Sequence, residues 1–199
     1  MIRFEDYLQK LGLTKELVGR VMAVAKPFTA RSSQRLLSPP QTCDRVFFIE
    51  EGIFREYKDL ETETETEIET EKTSWLLGEG NWLYSVESYI TSKPAEYYLQ
   101  ALTKAKGYYF YKHELEALLL QNPSLALTAY KLSEVYILKL EVRNTLHRLK
   151  TLPERLTYFE TTQPELAGKV PGKILANYLN VHSTQLSKER SRRAKEKRM

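Results

Sequence analysis

The chain has 199 residues, with 30 Lys and Arg against 26 Asp and Glu and a formal net charge of +4. Apolar residues make up 42% of it, enough for a globular core. The absence of an apolar run of about eighteen residues excludes a membrane span, and the first residues lack the apolar stretch of a secretory signal. The single cysteine, Cys43, excludes an internal disulfide and a four-thiolate iron–sulfur cluster. We therefore predict a cytoplasmic protein without a membrane partner.

Positive charge is concentrated at the C-terminal end. Residues 169–199 contain nine Lys or Arg and two Glu, a net charge of +7, whereas residues 1–168 carry −3. A basic segment on a slightly acidic body indicates a polyanionic partner. A solvated basic tail explains the same composition, and charge alone does not choose between the two.

Helices are predicted first, followed by strands. Apolar spacing predicts helix over residues 3–26, with a break near Gly12, a second start at Thr14 and an end at Pro27. Residues 28–112 then alternate short aromatic and β-branched runs with turn residues, which is typical of an antiparallel barrel or sandwich. The predicted strands are 46–49, 53–57, 73–77, 97–102 and 108–111.

One segment, Glu61 to Glu71, has low complexity, with six Glu, four Thr and one Ile. Its alternation predicts a hairpin finger whose like charges weaken strand pairing. A solvated insertion without function is one interpretation. An arm that mimics DNA and contacts the basic tail is the other.

A long helix follows the strands. Asn122 and Pro123 are typical of a helix start, and the helix is predicted to run from Ser124 to about Lys150. Its apolar stripe, spaced by three and four residues, predicts contact with a second copy of the chain, and packing on its own domain is the alternative. The stripe consists of Val135, Leu138, Val142, Leu146 (or Thr145 at that position) and Leu149.

The most informative segment is residues 170–188, which has the layout of a helix-turn-helix. Asn180 stands in the turn, where the backbone needs a positive φ. The second helix of such a motif enters the DNA major groove, where Lys188 can reach guanine and Gln185 can pair with adenine. The arginines and lysines from Arg190 onward would neutralise phosphates. An ordinary pair of antiparallel helices is the structural alternative.

With this motif in place, the chain resembles the Crp/Fnr family of bacterial transcription regulators over nearly its whole length. Residues 48–57, 79–82, 94–102 and 164–188 carry the resemblance. It implies an α+β protein that forms a homodimer on a near-palindromic DNA site, and it admits RNA polymerase as a further partner. The implied domains are a cyclic-nucleotide-binding-like β-roll with flanking helices (1–122), a dimerisation helix (123–150) and a small winged helix-turn-helix domain (151–199). The β-roll of this family is an antiparallel, cupin-like double-stranded β-helix, also called a jelly roll.

The resemblance carries the DNA contacts over position by position. Base contacts fall on Ser183, Thr184 and Lys188, and phosphate contacts fall on Lys173, His182 and Gln185. The family commonly has Arg-Glu and Arg at the base-reading positions, so its operator sequence does not transfer, and we expect no full hairpin wing after the second helix. The complete predicted DNA-binding set is Lys173, His182, Ser183, Thr184, Gln185, Ser187, Lys188 and Arg190.

The predicted effector pocket departs from that of cyclic-AMP-binding relatives. Where they hold the ribose with Gly-Glu, this chain has Tyr84 and Ser85; where they hold the phosphate with Arg-Ser-Ala, it has Ala95, Glu96 and Tyr97. A cyclic phosphate beside a carboxylate and without a cation is strongly disfavoured, so we expect no cyclic AMP in its usual pose. The tyrosines either fill the pocket or line one for an unknown small-molecule effector.

These observations favour a DNA-binding transcription regulator over an enzyme. The alternative is a small-molecule sensor or protein-interaction module that has lost DNA binding. A cupin-like enzyme ranks third, because His113, His147 and His182 have no metal-ligand spacing and no catalytic motif occurs.

Overall fold

The computed structural model describes residues 2–60 and 71–196. The predicted finger lies outside the described residues, apart from Glu71. The strands are β1 Lys26–Ala30, β2 Arg35–Leu37, β3 Arg45–Glu51, β4 Phe54–Asp59, β5 Glu71–Leu77, β6 Trp82–Leu83, β7 Tyr98–Ala101 and β8 Ala105–Tyr111. The helices are α1 Phe4–Lys10, α2 Lys15–Val24, α3 Val86–Thr91, α4 Lys112–Gln121, α5 Pro123–Arg148, α6 Leu152–Thr162, α7 Gly172–Tyr178 and α8 Ser183–Glu196.

The strands form two four-stranded antiparallel sheets, in the orders β1-β8-β3-β6 and β2-β7-β4-β5. Phe47 and Leu83 from the first sheet share a buried cluster with Phe54 and Leu99 from the second, so the core of this β-roll lies between the sheets. The predicted antiparallel β-roll is confirmed. The five predicted strands correspond to β3, β4, β5, β7 and β8.

The predicted N-terminal helix is confirmed as two helices separated at Gly12. Thr14 begins α2, where its hydroxyl oxygen accepts a hydrogen bond from the Leu17 backbone nitrogen. Pro27 does not simply end the segment, because it lies within β1, which was not predicted. The strand tolerates this proline because β1 lies at the edge of its sheet, where a backbone donor can be dispensed with.

The long helix α5 starts at Pro123 and is apolar on two opposite faces. One face lies toward the β-roll, whereas Leu127, Tyr130, Ile137 and Leu138 are exposed on the other. None of the helices in residues 2–60 and 71–196 is long and apolar enough to cross a membrane.

The predicted stripe on α5 does not lie on one surface. Val135 and Leu138 are exposed, and Val142 and Leu149 are half-buried. Leu146 is fully buried in a cluster with residues of α6, α7 and α8. The prediction for Leu146 therefore needs correction: the last turn of α5 packs on its own C-terminal helices, which a three-and-four spacing cannot distinguish from a dimer seam.

The C-terminal helices also contact the β-roll. Ile53 and Leu76 belong to the same buried cluster as α6, α7 and α8. The Asn177 side-chain oxygen on α7 accepts a hydrogen bond from Thr73 N (2.6 Å), and its NH₂ group donates to Glu71 O (2.7 Å). The amide thus pairs with the backbone of β5, the edge strand of its sheet, and fixes the position of α7.

Candidate nucleic-acid interface

Helices α7 and α8 form the predicted helix-turn-helix. Asn180 has a φ of 55°, the left-handed conformation that asparagine tolerates better than most residues with a side chain. Ala176 is buried where the helices meet, and its carbonyl accepts a hydrogen bond from Val181 N (3.0 Å). Leu186 on α8 is buried against the same cluster. The turn and the small residue together allow two helices to pack closely.

The start of α8 is held by its own side chains. The Gln185 side-chain oxygen accepts a hydrogen bond from His182 N at 3.0 Å, and His182 Nδ1 lies 2.8 Å from Thr184 Oγ1. Pairing of Gln185 with adenine uses both ends of the amide, so it requires this cap to open. The capped amide retains its NH₂ group as the donor that a phosphate contact needs.

The predicted DNA contacts are accessible. Ser183, Thr184, Ser187 and Lys188 are exposed and share one face of α8, since they are separated by one, three, four or five positions. Lys173, His182 and Gln185 are exposed as well, and Arg190 is half-buried. The Arg190 guanidinium lies beside Gly172, so it comes close to the start of α7 next to Lys173.

Two arginines that the sequence assigned to phosphates have other partners. Glu189 accepts hydrogen bonds from Arg192 Nη2 (2.7 Å) and Arg193 Nε (2.8 Å). These bonds, with that of Arg192 the stronger, lower the pKa of Glu189 to about 2. Arg193 also reaches Glu160 (3.1 Å) and the Pro153 carbonyl oxygen (2.7 Å). Arg193 therefore holds α8 against α6. The cations that the candidate DNA surface presents include Lys173, Lys188, Arg190 and Lys195.

His147 lies where α5 meets the helix-turn-helix. Its ring stands edge-on to that of Tyr178, with centroids 5.5 Å apart, and its Nδ1 lies 3.4 Å from Asn180 Nδ2. Burial lowers the pKa of His147 below its ordinary value of 6.5, and the nearby cations Arg143, Lys72 and Arg155 lower it further. The folded protein therefore favours the neutral ring.

We expect this histidine to make stability depend on pH. Because its pKa is lower in the folded than in the unfolded chain, its contribution is complete above about pH 6.5 and declines as the pH falls below that value. Urea denaturation of wild type and His147→Gln at about pH 7.5 and about pH 5.5 measures it. The wild type should lose more stability on acidification than His147→Gln. Equal losses of stability in wild type and His147→Gln would contradict the assignment. His113→Gln, which replaces a histidine elsewhere in the fold, is the matched control.

The predicted effector-pocket residues are not gathered around one cavity. Ser85 and Ala95 are buried within the β-roll, Glu96 is exposed and Tyr97 is half-buried. Tyr84 packs against the core between the sheets and against the Tyr89 ring, with centroids 5.2 Å apart. Tyr84 and Tyr89 also line a cavity, so the choice between tyrosines that fill a pocket and tyrosines that line one stays a prediction.

Other features bear on cofactors and ligands. Within residues 2–60 and 71–196, no group of three or more His, Cys, Asp or Glu side chains is arranged to hold a metal ion. A cavity of about 240 Å³ lies between α5 and the β-roll, and Tyr84 and Tyr89, two of the tyrosines predicted to fill or line an effector pocket, belong to its lining. The residues that line the cavity come from helices and strands far apart in the sequence, so no local motif predicts the cavity.

Known proteins were compared with this chain. No family model matches it, and no curated protein matches it. Solved structures do: FixK2 from Bradyrhizobium japonicum is 16% identical, with a TM-score of 0.71 and coverage of 87% of this chain and 86% of that one. A CooA mutant from Carboxydothermus hydrogenoformans is 16% identical, with a TM-score of 0.66 and coverage of 91% and 80%.

A third structure is that of the c-di-GMP-responsive global regulator CLP from Xanthomonas campestris. It is 12% identical, with a TM-score of 0.62 and coverage of 92% of this chain and 93% of that one. These solved structures are Crp/Fnr regulators with a cyclic-nucleotide-binding-like domain. The overall arrangement of the helices and strands is thus common to them and to this chain. The chain has the fold of the Crp/Fnr regulators.

Proposed function

We propose that the chain is a DNA-binding transcription regulator. The observation that carries this proposal is the exposed face of α8, the second helix of the helix-turn-helix, which presents Ser183, Thr184, Ser187 and Lys188. Lys173 and Arg190 add cations beside it. Small polar side chains with a lysine suit base edges, and the flanking cations suit phosphates.

The regulator is proposed to act as a homodimer on a near-palindromic site. The exposed apolar face of α5, formed by Leu127, Tyr130, Ile137 and Leu138, is the surface that a second copy would cover. Two recognition helices about one turn of DNA (about 34 Å) apart would then read two half-sites. RNA polymerase and a small-molecule effector remain proposed partners.

The β-roll is proposed not to hold cyclic AMP in its usual pose. Ala95, which stands where cyclic-AMP-binding relatives place an arginine, is buried, and Tyr84 and Tyr89 pack against the cluster to which it belongs. A phosphate there would lose its solvation without gaining a cation.

Fluorescence anisotropy with a mixed-sequence DNA duplex across a salt series tests the DNA-binding proposal. We expect the logarithm of the affinity to fall linearly with the logarithm of the salt concentration, because bound cations release counterions from the phosphates. Lys188→Ala should weaken binding and reduce the slope by about one per chain if Lys188 meets a phosphate, or relax base preference at one position if it reads a base.

The matched control is Lys93→Ala, which removes one exposed lysine from the β-roll and should leave affinity and slope unchanged. Salt-independent binding, or identical curves for Lys188→Ala and wild type, would favour the alternative of a sensor or interaction module that does not read DNA.

A further inference from the structure

The cavity under α5 has not been used by the proposed function. Its volume is about 240 Å³, and it is lined by residues of α5, of the N-terminal helices and α4, and of strands of the β-roll. It is separate from the surface of α8, and its lining includes Tyr84 but not the buried positions Ser85 and Ala95. Its location connects the β-roll to the helix that leads to the helix-turn-helix.

The face of α5 that lines the cavity is opposite the face proposed for the dimer. Successive residues of a helix are rotated by about 100°, so Leu132, Tyr136 and Lys139 share one side. Ile137 and Leu138 fall on the other side and are exposed. A second copy packed on the exposed face would therefore leave the cavity face available for a ligand.

The lining of the cavity is mostly aromatic and aliphatic. Both tryptophans of the chain, Trp75 and Trp82, belong to it. Aromatic side chains suit a flat apolar ligand, because the ring of the ligand can stack on their rings or contact them edge to face. An apolar cavity of about 150 Å³ holds benzene, so about 240 Å³ suits roughly two fused rings. The aromatic side chains of the lining are Tyr7, Trp75, Trp82, Tyr84, Tyr89, Phe110 and Tyr136.

Lys139 supplies a cation to this lining. The Lys139 ammonium donates a hydrogen bond to the Asn81 side-chain oxygen, and Asn81 Nδ2 in turn donates to Gly78 O at 3.0 Å. Burial lowers the pKa of Lys139, and the nearby Glu165 raises it by a smaller amount. A positive charge beside an apolar cavity is stabilised by an anionic group on a ligand more than by water alone.

We propose that this cavity binds an aromatic carboxylic acid of about two fused rings, with its rings against Trp75, Trp82 and Tyr136 and its carboxylate on Lys139. Ligand binding at this site does not depend on the proposed function. An effect of the ligand on DNA binding does rest on that function, since a ligand that contacts both the β-roll and α5 would favour one position of α5 and of the helix-turn-helix joined to it.

Isothermal titration of the full chain with naphthoate, in the absence of DNA, tests the site. Naphthoate should bind and change the tryptophan fluorescence, because both tryptophans line the cavity. The uncharged naphthamide has the same shape and should bind about tenfold more weakly, since it lacks the charge-assisted bond to Lys139. Failure of naphthoate to bind at millimolar concentration would overturn the proposal.

Two variants make the test specific. Lys139→Gln should bind naphthoate and naphthamide equally, whereas the control Lys93→Gln should retain the tenfold preference. Ala129→Phe should weaken both ligands, because its ring would occupy part of the cavity. An unchanged preference in Lys139→Gln would also overturn the proposal. Because no DNA is present, failure of DNA binding leaves this result unaffected, and the reverse holds for the salt series.

Discussion

Leu146→Ala is expected to lower the free energy of unfolding by about 2–5 kcal/mol without changing the oligomeric state of the folded protein. The Leu146 side chain is 0% exposed and joins the end of α5 to α6, α7 and α8 in one apolar cluster. Its truncation removes apolar contacts and leaves a cavity that the surrounding helices fill only in part. Since a domain is stable by about 5–15 kcal/mol, this is a large fraction of the total.

Urea denaturation measures the loss, and light scattering of the folded variant measures its mass. Leu120→Ala is the matched control, because Leu120 is 87% exposed on α4 and its truncation should change stability by about 0.5 kcal/mol or less. A mild effect of Leu146→Ala together with dissociation into monomers would return Leu146 to the dimer seam predicted from its spacing.

The second large effect is expected at Leu138, which is 66% exposed on α5. Leu138→Glu should dissociate the proposed homodimer. In a two-fold interface the same patch meets itself, so the substitution would place two carboxylates in an apolar contact. Loss of the second half-site contact should reduce affinity for a palindromic duplex by about 10²–10⁴-fold, the usual gain from linking two binding events.

Sedimentation and DNA anisotropy on the same samples measure both consequences. Ile90→Glu is the control, because it makes the same change at an apolar residue that is 68% exposed on α3, a helix that is not part of the proposed interface. Equal dissociation in both variants, or a Leu138→Glu protein that remains a dimer, would place the interface elsewhere.

Local signals account for most of the fold that could be predicted from the sequence. Asn180 indicates the left-handed turn and Pro123 indicates the first turn of α5. Both signals can be read from the sequence because they depend only on local backbone preferences. The two-residue strand β6 is too short to form a pattern. Leu146 was misassigned because apolar spacing gives a face of a helix and not what covers that face.

The candidate sites also differ in how far local sequence predicts them. The DNA-facing residues lie within one motif, so their positions follow from its layout, although the partners of Arg192 and Arg193 depend on Glu189 and Glu160. The cavity brings together Trp75 and Lys139 from strands and helices that meet only in the folded chain. Such a cavity has no signature along the sequence.

The bond between Asn177 and β5 has a consequence for solubility. An uncovered edge strand offers its backbone groups as a template to which another chain can add, and this is a common route to aggregation. Asn177 occupies the groups of Thr73 and Glu71, so α7 shields this part of the edge. Any movement that lifts the helix-turn-helix from the β-roll would expose that template, and its attachment thus protects the protein from self-association through β5.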